Sequence, residues 1–327
     1  MTIRDVAARA GVSVATVSKV INSRYGVAAA TTARVQAVID ELGYQASLVA
    51  QSLRNQRTNV IGILVLDLDP FSTELLRGAA DAIRGSGFEL VIYSAGGKAS
   101  DRMGWERRYL SRLSGTLIDG AVLVTPTVVD VNYGTPVVAV DPQAGQSGLP
   151  TVDSDSLHGA RLATAHLLEL GHRRIAMLRG RPDLQSAQLR EQGYRQALAG
   201  AGVLVDEDLV LIGDYDAGVS QRQARRLLTA PHRPTAVFAA NDVSAIATIE
   251  AAAELGLRVP GDLSVVGFDD IPEAALCTPP LTTVSQPVRQ MGQRSVELLA
   301  RLIRGEPADT HITLATDLVV RQSTQAR

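Results

Sequence analysis

The chain lacks the features of exported and membrane proteins. Its single cysteine, Cys277, excludes a disulfide within the chain, which is typical of a reducing compartment. The N-terminal sequence MTIRDV has no apolar core of a signal peptide. No apolar run reaches the ~20 residues that a membrane-spanning helix requires. These absences predict a cytoplasmic protein.

Aromatic residues are scarce, at 4% of 327 residues, whereas hydrophobic residues make up 46% and charged residues 20%. This composition is that of a folded globular protein rather than a disordered one. Aliphatic side chains and alanine must therefore fill the cores. The length exceeds that of one ordinary domain and fits two or three.

Motifs of common enzyme and metal sites are also missing. A P-loop is absent at Gly97-Lys98, because Ala99 follows in place of serine or threonine and Ile92 stands in place of the first glycine. The sequence has no His-Glu-x-x-His pair and no Gly-x-Ser-x-Gly elbow, and its five histidines are scattered. We therefore expect no enzymatic activity, no cofactor and no metal, and a structural role for His166 and His172 at helix positions.

The net charge of −2 conceals an asymmetry between the start of the chain and the rest. Residues 1–57 have a net charge of 7 − 3 = +4, which leaves −2 − 4 = −6 for the remainder. A basic segment on an acidic body suggests a polyanion partner, although a chance surplus on a solvated face gives the same count. The charged residues of this segment are Arg4, Arg9, Lys19, Arg24, Arg34, Arg54 and Arg57 against Asp5, Asp40 and Glu41.

Residues 1–45 contain three short helical patterns and predict a small all-α head. Each pattern begins with residues that can cap a helix N-terminus, and the first and last are followed by glycine. The predicted starts are Thr2 with Asp5 for a helix to about Ala10, Ser13 for a helix to about Asn22, and Thr31-Thr32 for a helix ending before Gly43.

The second helix has two distinct faces. We expect Val14, Val17 and Ile21 to share the face that packs on the other two helices. The opposite face presents small and polar groups, which suits a helix that enters the DNA major groove, although a surface helix of any three-helix bundle has the same pattern. The candidate contacts are Lys19 to guanine, Ser18 and Asn22 to base edges or phosphates, Ala15 to a thymine methyl, and Ser13 and Thr16 to phosphates.

The sequence at 3–22, IRDVAARAGVSVATVSKVIN, closely resembles the head of the lactose-repressor/galactose-repressor family. The likeness continues through TARV at 32–35 and ELGY at 41–44, and the match is long and ungapped. It implies a DNA-binding helix-turn-helix head in which Val14 and Ala15 lie where the family sets operator preference. Lys19 stands where members usually carry arginine, and lysine lacks the planar fork that makes a guanine contact rigid.

Residues 46–59 are predicted to form a hinge helix and a linker. The stretch Ser47–Arg54 resembles the family's hinge helix, although alanine and serine replace the usual Pro-Asn before it. A helix this short is marginal in water and needs a partner. The resemblance implies that two such helices pair in the DNA minor groove, where Leu53 wedges between base steps and Arg54 contacts DNA. The alternative is that Leu53 packs on the body.

From residue 60 onward, apolar runs of strand length alternate with helical segments, which is typical of a parallel sheet covered on both faces. The runs are too many for one small sheet. We therefore expect two doubly wound α/β subdomains, an N-subdomain of about 60–155 with 286–315 and a C-subdomain of about 156–285 with 316–327. The predicted strands are Val60–Leu68, Phe88–Ser94, Gly120–Thr125, Pro136–Val140, Arg174–Leu178, Leu209–Gly213, Ala236–Ala240 and Leu263–Phe268. The predicted helices include 156–170, 187–201, 243–256 and 289–304.

Polar residues follow many of these strands, at the edge where ligands bind in open α/β sheets. Carboxylates and amides can hold pairs of hydroxyls and aromatic rings can stack on C–H groups, so these ends could bind a polyol. Each residue alone could instead cap a helix, which is the expected role of Asp242 and Asp270. The strand ends are Asp67–Phe71, Asp141, Arg179-Gly180, Asp214-Tyr215, Asn241-Asp242 and Asp269-Asp270.

The body resembles the same family, whose effector domain is similar to a periplasmic sugar-binding protein. Matching segments include HLLELGHRRI at 166–175, AND at 240–242 and VGFDD at 266–270, so the likeness spans nearly the whole chain. The sequence DPFS at 69–72, at the first wall of the site, departs from the family's usual Asn-Pro-Phe-Phe. The resemblance implies effector contacts at Phe71, Asp141, Arg190, Tyr215, Asn241 and Asp269.

Head, hinge and body together predict a sequence-specific transcription regulator, by resemblance a repressor, with a small-molecule effector between its subdomains. Arg190 is compatible with a sugar, a sugar phosphate or another anion, but Asp269 would repel an anion unless Arg190 offsets it, which favours a neutral sugar. If the effector separates the subdomains, the hinge helices lose their pairing and operator affinity falls. A homodimer is expected because a two-fold operator needs two heads, and no leucine heptad follows Val320 to support a tetramer.

Two other functions are compatible with parts of the sequence. The body alone would fit a secreted sugar-binding receptor, but the head and the missing signal peptide argue against it. A sugar-modifying enzyme could have the same fold, since fold does not fix function. That enzyme would need a nucleophile or a metal in the cleft, and the sequence offers no such set.

Overall fold

The computed structural model describes residues 2–21, 25–44, 57–96, 104–115, 117–127, 133–143 and 148–327. These residues divide into two compact units, a head and a body, with a boundary between Thr58 and Asn59. No described helix is long and apolar enough to span a membrane.

The described part of the head contains helices α1 (Ile3–Ala10), α2 (Val14–Ile21) and α3 (Ala29–Leu42). The predicted capping box is confirmed, because the Thr2 backbone N–H donates to the Asp5 carboxylate at 2.7 Å. Ser13 Oγ likewise accepts a hydrogen bond from the Thr16 N–H at 3.1 Å. The predicted start of α3 at Thr31-Thr32 is wrong: the helix begins earlier, after Ala28, since the alanines there are strong helix formers.

The head core is formed by buried valines from all three helices: Val6, Val17, Val20, Val35 and Val38. The predicted packing face of α2 is partly wrong. Val20 is buried, whereas Val14 is 40% exposed. Val17, Val20 and Ile21 are spaced i, i+3, i+4 and make the inward row, while Val14 lies one turn before them at the first residue of the helix.

The described part of the body contains two six-stranded sheets, one in each subdomain. The N-subdomain sheet has the order β11-β5-β4-β3-β1-β2 and is parallel throughout. The C-subdomain sheet has the order β12-β10-β9-β8-β6-β7, with only β12 antiparallel to its neighbour. The strands are β1 Val60–Val65, β2 Glu89–Ser94, β3 Gly120–Val124, β4 Val137–Val140, β5 Thr151–Ser154, β6 Ile175–Arg179, β7 Val210–Ile212, β8 Ala236–Ala239, β9 Ser264–Asp269, β10 Thr282–Ser285, β11 His311–Leu314 and β12 Asp317–Val319.

Helices cover both faces of each sheet, as the continuous burial of β1, β3, β4, β8 and β9 requires. In the N-subdomain, α4 and α11 pack on one face and α5 on the other. In the C-subdomain, α6 and α7 share one face, and α8, α9 and α10 the other. The helices are α4 Pro70–Ile83, α5 Trp105–Leu113, α6 Ser156–Glu169, α7 Gln185–Gly200, α8 Ala217–Leu228, α9 Asp242–Glu254, α10 Pro272–Leu276 and α11 Val288–Arg304.

Three links join the subdomains, all within residues 148–327. They run from β5 to α6, from β10 to α11 and from β11 to β12. The chain therefore leaves the N-subdomain near Asp155, returns near Gln286 and leaves again near Thr316. Two doubly wound sheets joined in this way are the architecture of a periplasmic binding protein-like body, and they place a cleft between facing strand ends.

Candidate effector cavity and DNA-reading helix

The predicted DNA contacts that the structure describes lie on or beside α2. Ser13, Val14, Ala15 and Lys19 are exposed, and Thr16 and Ser18 are half-buried. Ser13 and Thr16 lie side by side at the start of the helix, with their hydroxyl oxygens 2.9 Å apart. The predicted contacts Asn22, Leu53 and Arg54 lie outside the described residues.

The head also contains a cation, Arg9, that lies away from the predicted DNA contacts on α2. Arg9 at the end of α1 forms an ion pair with Glu41 of α3, with 2.7 Å between Nη2 and Oε1. Both side chains are more than half exposed, so the pair adds little stability. Arg9 therefore has a local partner for its charge, whereas Lys19 lies on α2 beside small side chains that would allow close approach of a duplex.

A cavity of about 310 Å³ lies between the two body subdomains. It is bordered by the ends of β1, β3 and β4 and the start of α4 in the N-subdomain, and by strand ends and α7 in the C-subdomain. The six residues predicted as effector contacts, Phe71, Asp141, Arg190, Tyr215, Asn241 and Asp269, all line this cavity.

The backbone at the strand ends around the cavity is held in the left-handed region. Such a backbone costs on the order of 1–3 kcal/mol at a residue other than glycine, and it clusters at functional sites. At the end of β4 it aims the side chain of Asp141 into the cleft. The cavity residues concerned are Thr125 (φ 47°), Asp141 (φ 47°), Asp214 (φ 59°), Tyr215 (φ 57°) and Asp269 (φ 116°).

Arg190 is the buried cation of the cavity, with only 3% of its surface exposed. Its Nη1 donates to the Ala240 carbonyl at 2.6 Å and lies 3.4 Å from Asp269 Oδ1. Its Nη2 donates to Gln286 Oε1 at 3.0 Å. The guanidinium carbon also lies 3.7 Å from the ring centroid of Phe268, a cation–π distance. These contacts fix the guanidinium in one orientation at the cavity wall.

Carboxylates outnumber cations in the cavity lining, with six aspartates against two arginines, Arg181 and Arg190. Burial raises the pKa of Asp141, with Arg190 acting in the opposite direction, and Ser186 donates to its Oδ2 at 3.0 Å. Burial raises the pKa of Asp269 to about 7, again against the influence of Arg190. A lining of this kind disfavours an anionic ligand and offers acceptors for hydroxyl groups. The aspartates are Asp67, Asp69, Asp141, Asp214, Asp216 and Asp269.

Tyr215 presents an unsatisfied hydroxyl in this cavity. Its Oη is buried and has no well-aligned hydrogen-bond partner among the described residues, and burial raises its pKa to about 12 against the lowering influence of the Ser186 hydroxyl, so it remains protonated. Gly180 makes room for its ring, because a Cβ there would overlap Tyr215 at Cζ. A buried polar group without a partner is uncommon, and a ligand oxygen in the cavity would satisfy it.

The helix caps differ from the prediction for two residues. Asn241, not Asp242, caps α9, since its Oδ1 accepts from the Ser244 N–H at 3.0 Å. Asp242 is buried and accepts hydrogen bonds from the Ile271 N–H and the Thr283 hydroxyl, which join α9 to the end of β9 and to β10. Asp270 forms an ion pair with Arg321 at 2.6 Å. The capping role expected for Asp242 and Asp270 is therefore wrong, because each meets a partner that is distant in sequence.

Two other expected positions also differ. Arg179 ends β6 but pairs with Glu191 at 2.7 Å rather than lining the cavity, and Arg181 lines it instead. His172 lies beyond the end of α6, where its Nδ1 lies 2.9 Å from Thr235 Oγ1 and its Nε2 lies 3.0 Å from Ser264 Oγ. In the described ranges, no group of three or more histidine, cysteine, aspartate or glutamate residues could hold a metal ion.

Several cavity residues were not predicted from the sequence. Thr125 follows β3, so the same strand-end argument could have found it. Leu184, Ser186 and Val243 lie at helix starts, and no sequence signal distinguishes them from other first-turn residues.

Comparison with known proteins identifies the family. The model for bacterial regulatory proteins of the lacI family matches residues 2–47, and that for a periplasmic binding protein-like domain matches residues 164–324. The ribose operon repressor of Halalkalibacterium halodurans is 37% identical, with 99% of this chain and 97% of that protein covered. The chain belongs to the LacI family.

Solved structures similar to this chain cover nearly all of it. The lac repressor dimer bound to operator and the anti-inducer ONPF is 30% identical with a TM-score of 0.87, covering 100% of this chain and 99% of that one. The complex of the transcriptional regulator CelR with cellobiose is 35% identical with a TM-score of 0.74, covering 99% of each chain. This LacI family protein is therefore a DNA-binding transcription regulator controlled by a small-molecule effector, and not an enzyme.

Proposed function

We propose that this protein is a cytoplasmic repressor that binds a two-fold operator as a homodimer and responds to a neutral sugar. The main support is the cavity between the body subdomains, whose lining joins carboxylates, an amide, an aromatic hydroxyl and one fixed guanidinium. Some relatives are named for a sugar, since one is a ribose operon repressor and another was solved with cellobiose, whereas others are repressors named PurR.

The proposed effector contacts are Phe71, Asp141, Arg190, Tyr215, Asn241 and Asp269. Asp141 and Asp269 would accept hydrogen bonds from hydroxyl pairs, and Arg190 would donate to a ring or hydroxyl oxygen. Phe71 would pack against the C–H face of the sugar. The excess of six aspartates over two arginines favours an uncharged sugar over a sugar phosphate, because a phosphate would face net repulsion.

The proposed organisation is a head at 1–45, a hinge and linker at 46–59 and an effector domain at 60–327. Val14 and Ala15 would contact bases, Ser18, Lys19 and Asn22 would donate to base edges or phosphates, and Ser13 and Thr16 would contact phosphates. Leu53, with Arg54 beside it, would wedge into the minor groove at the operator centre.

The proposed function is tested by selecting binding sites from a random duplex library with purified full-length protein at one fixed salt concentration, because phosphate contacts make affinity salt-dependent. The expected result is a two-fold symmetric site with a central C-G step. The effector is then identified by adding D-ribose, cellobiose and a wider panel of neutral sugars to the protein–duplex complex and measuring whether each weakens or tightens DNA binding. Sedimentation should show a dimer, and a monomer or a salt-stable tetramer at micromolar concentration would refute the proposed assembly.

A further inference from the structure

Gln286 occupies a link between the subdomains and is neither a strand nor a helix residue. It lies between β10 of the C-subdomain and α11, which packs on the N-subdomain sheet. Only 5% of its surface is exposed. A buried amide in a link is costly unless its polar atoms have partners, so its hydrogen bonds show what holds it there.

The side chain of Gln286 contacts two cavity residues from behind. Its Oε1 accepts from Arg190 Nη2 at 3.0 Å, and its Nε2 lies 3.5 Å from Asp269 Oδ1. With its oxygen towards a cation and its nitrogen towards a carboxylate, the amide has one favourable orientation. Gln286 itself is absent from the cavity lining, whereas Arg190 and Asp269 both belong to it.

The same amide oxygen reaches the other links. Ser154, the last residue of β5, donates its hydroxyl to Gln286 Oε1 at the start of the first link. The next residue, Asp155, accepts at its carbonyl from the Thr316 hydroxyl of the third link at 3.0 Å. Hydrogen bonds therefore join Arg190 and Ser154 through the Gln286 amide oxygen, and the residue after Ser154 is hydrogen-bonded to the third link.

We infer that Gln286 is a positioning residue that couples occupancy of the cavity to the angle between the two subdomains. The inference rests on the proposed function, since it needs a ligand that engages Arg190 or Asp269. Hydrogen bonds to charged groups are stronger than those between neutral groups. A ligand that binds Arg190 or Asp269 therefore changes the orientation of these side chains. Because one Gln286 atom accepts from both Arg190 and Ser154, a change on the cavity side alters the contact between the links.

The test compares three variants of the full-length protein. Gln286→Met keeps the length and volume of the side chain but removes all three hydrogen bonds. Ser154→Ala removes only the arm towards the links and leaves the cavity residues unchanged. Gln290→Met makes the same replacement at an exposed position on α11 and serves as the matched control.

The readout is the distance across the cleft, measured between spin labels at Ala80→Cys in α4 and Gln192→Cys in α7, in a Cys277→Ser background. Both labelled positions are exposed, and they lie in different subdomains. Without ligand, Gln286→Met and Ser154→Ala should broaden the distance distribution or move its maximum by more than about 2 Å, the scale of domain rearrangements. Gln290→Met should match the parent.

A ligand titration completes the test, with D-ribose and cellobiose as the first probes. If a sugar narrows or shifts the distance distribution of the parent protein, the same sugar should produce a smaller shift in Gln286→Met and in Ser154→Ala. The Kd for that sugar should change less than about fivefold, which is the low end of typical allosteric coupling. Unchanged distributions in Gln286→Met and Ser154→Ala would overturn the inference. If no sugar moves the parent distribution, the proposed effector class fails and the coupling to a sugar fails with it, whereas the ligand-free comparison still decides whether Gln286 sets the angle between the subdomains.

Discussion

Gly180 and Tyr215 are fitted to each other at the C-subdomain wall of the cavity, because any Cβ on Gly180 would overlap the Tyr215 ring. Tyr215 has a left-handed backbone (φ 57°) and a buried hydroxyl without a partner in the described chain. Its ring therefore has little freedom to move aside, and its hydroxyl is held ready for a ligand.

Gly180→Ala should weaken effector binding by displacing this ring. Overpacking of a well-packed site costs about 1–3 kcal/mol, which corresponds to a loss of affinity of at least about fivefold. Isothermal titration with the effector found by the sugar panel measures the change. Gly200→Ala is the control, because no atom lies within 4 Å of a Cβ there, and it should leave affinity unchanged. Equal affinities in both variants would contradict the placement of Tyr215.

The raised pKa of Asp269 predicts a pH-dependent stability. Burial raises the pKa from 3.8 to about 7, so between these values the folded protein binds more protons than the unfolded chain. Stability should therefore fall as pH rises from 4 to 7, with a slope of at most about 1.4 kcal/mol per pH unit from this group. Asp269→Asn should flatten the slope in urea unfolding at pH 5, 6 and 7. A steeper fall in the variant would contradict the prediction.

Lys19→Met should reduce operator affinity without loss of stability, because Lys19 is exposed on α2. The loss expected for one base contact is about 1–3 kcal/mol, with relaxed preference at one base-pair position. Arg9→Met removes the same charge from the head, but it should reduce operator affinity less than Lys19→Met does, because Arg9 is paired with Glu41. Fluorescence anisotropy on the selected duplex compares them. Equal losses would mean that Lys19 contributes only net charge.

Gly292→Ala should destabilise the N-subdomain. Gly292 of α11 lies so close to α4 that a Cβ would overlap the carbonyl of Leu75, which is backbone and cannot move aside. The expected loss is about 1–3 kcal/mol in the free energy of unfolding, measured by urea titration. Gly200→Ala again provides the comparison and should be neutral or slightly stabilising in its helix. A neutral Gly292→Ala would contradict the close helix contact.

The sequence predicted the buried sheets because apolar runs such as Val60–Leu68 and Leu263–Phe268 are stable only in a core, and the strands Val60–Val65 and Ser264–Asp269 form there. The shorter strands Thr151–Ser154, Thr282–Ser285, His311–Leu314 and Asp317–Val319 were not predicted. Each has only three or four residues and contains at least one polar residue, so none forms an apolar run long enough to predict a strand. They form strands because the neighbouring strands offer unpaired backbone N–H and C=O groups for hydrogen bonding.

The six proposed effector contacts came from strand ends and family resemblance, and the fold brings them to one cavity. Features that depend on distant partners could not be found in this way. The ion pair of Asp270 with Arg321 spans 51 positions, and Gln286 meets Ser154 across 132 positions. The left-handed backbone of Asp141 likewise follows from tertiary context, since aspartate alone does not dictate it.

Operator binding in the presence and absence of the effector tests the central claim most directly. The selected duplex is titrated with the full-length protein at fixed salt, with and without saturating sugar from the panel. We expect a two-fold symmetric site and a change of at least about fivefold in operator Kd on adding one neutral sugar. A protein that binds a sugar but selects no duplex sequence, with or without that sugar, would contradict it.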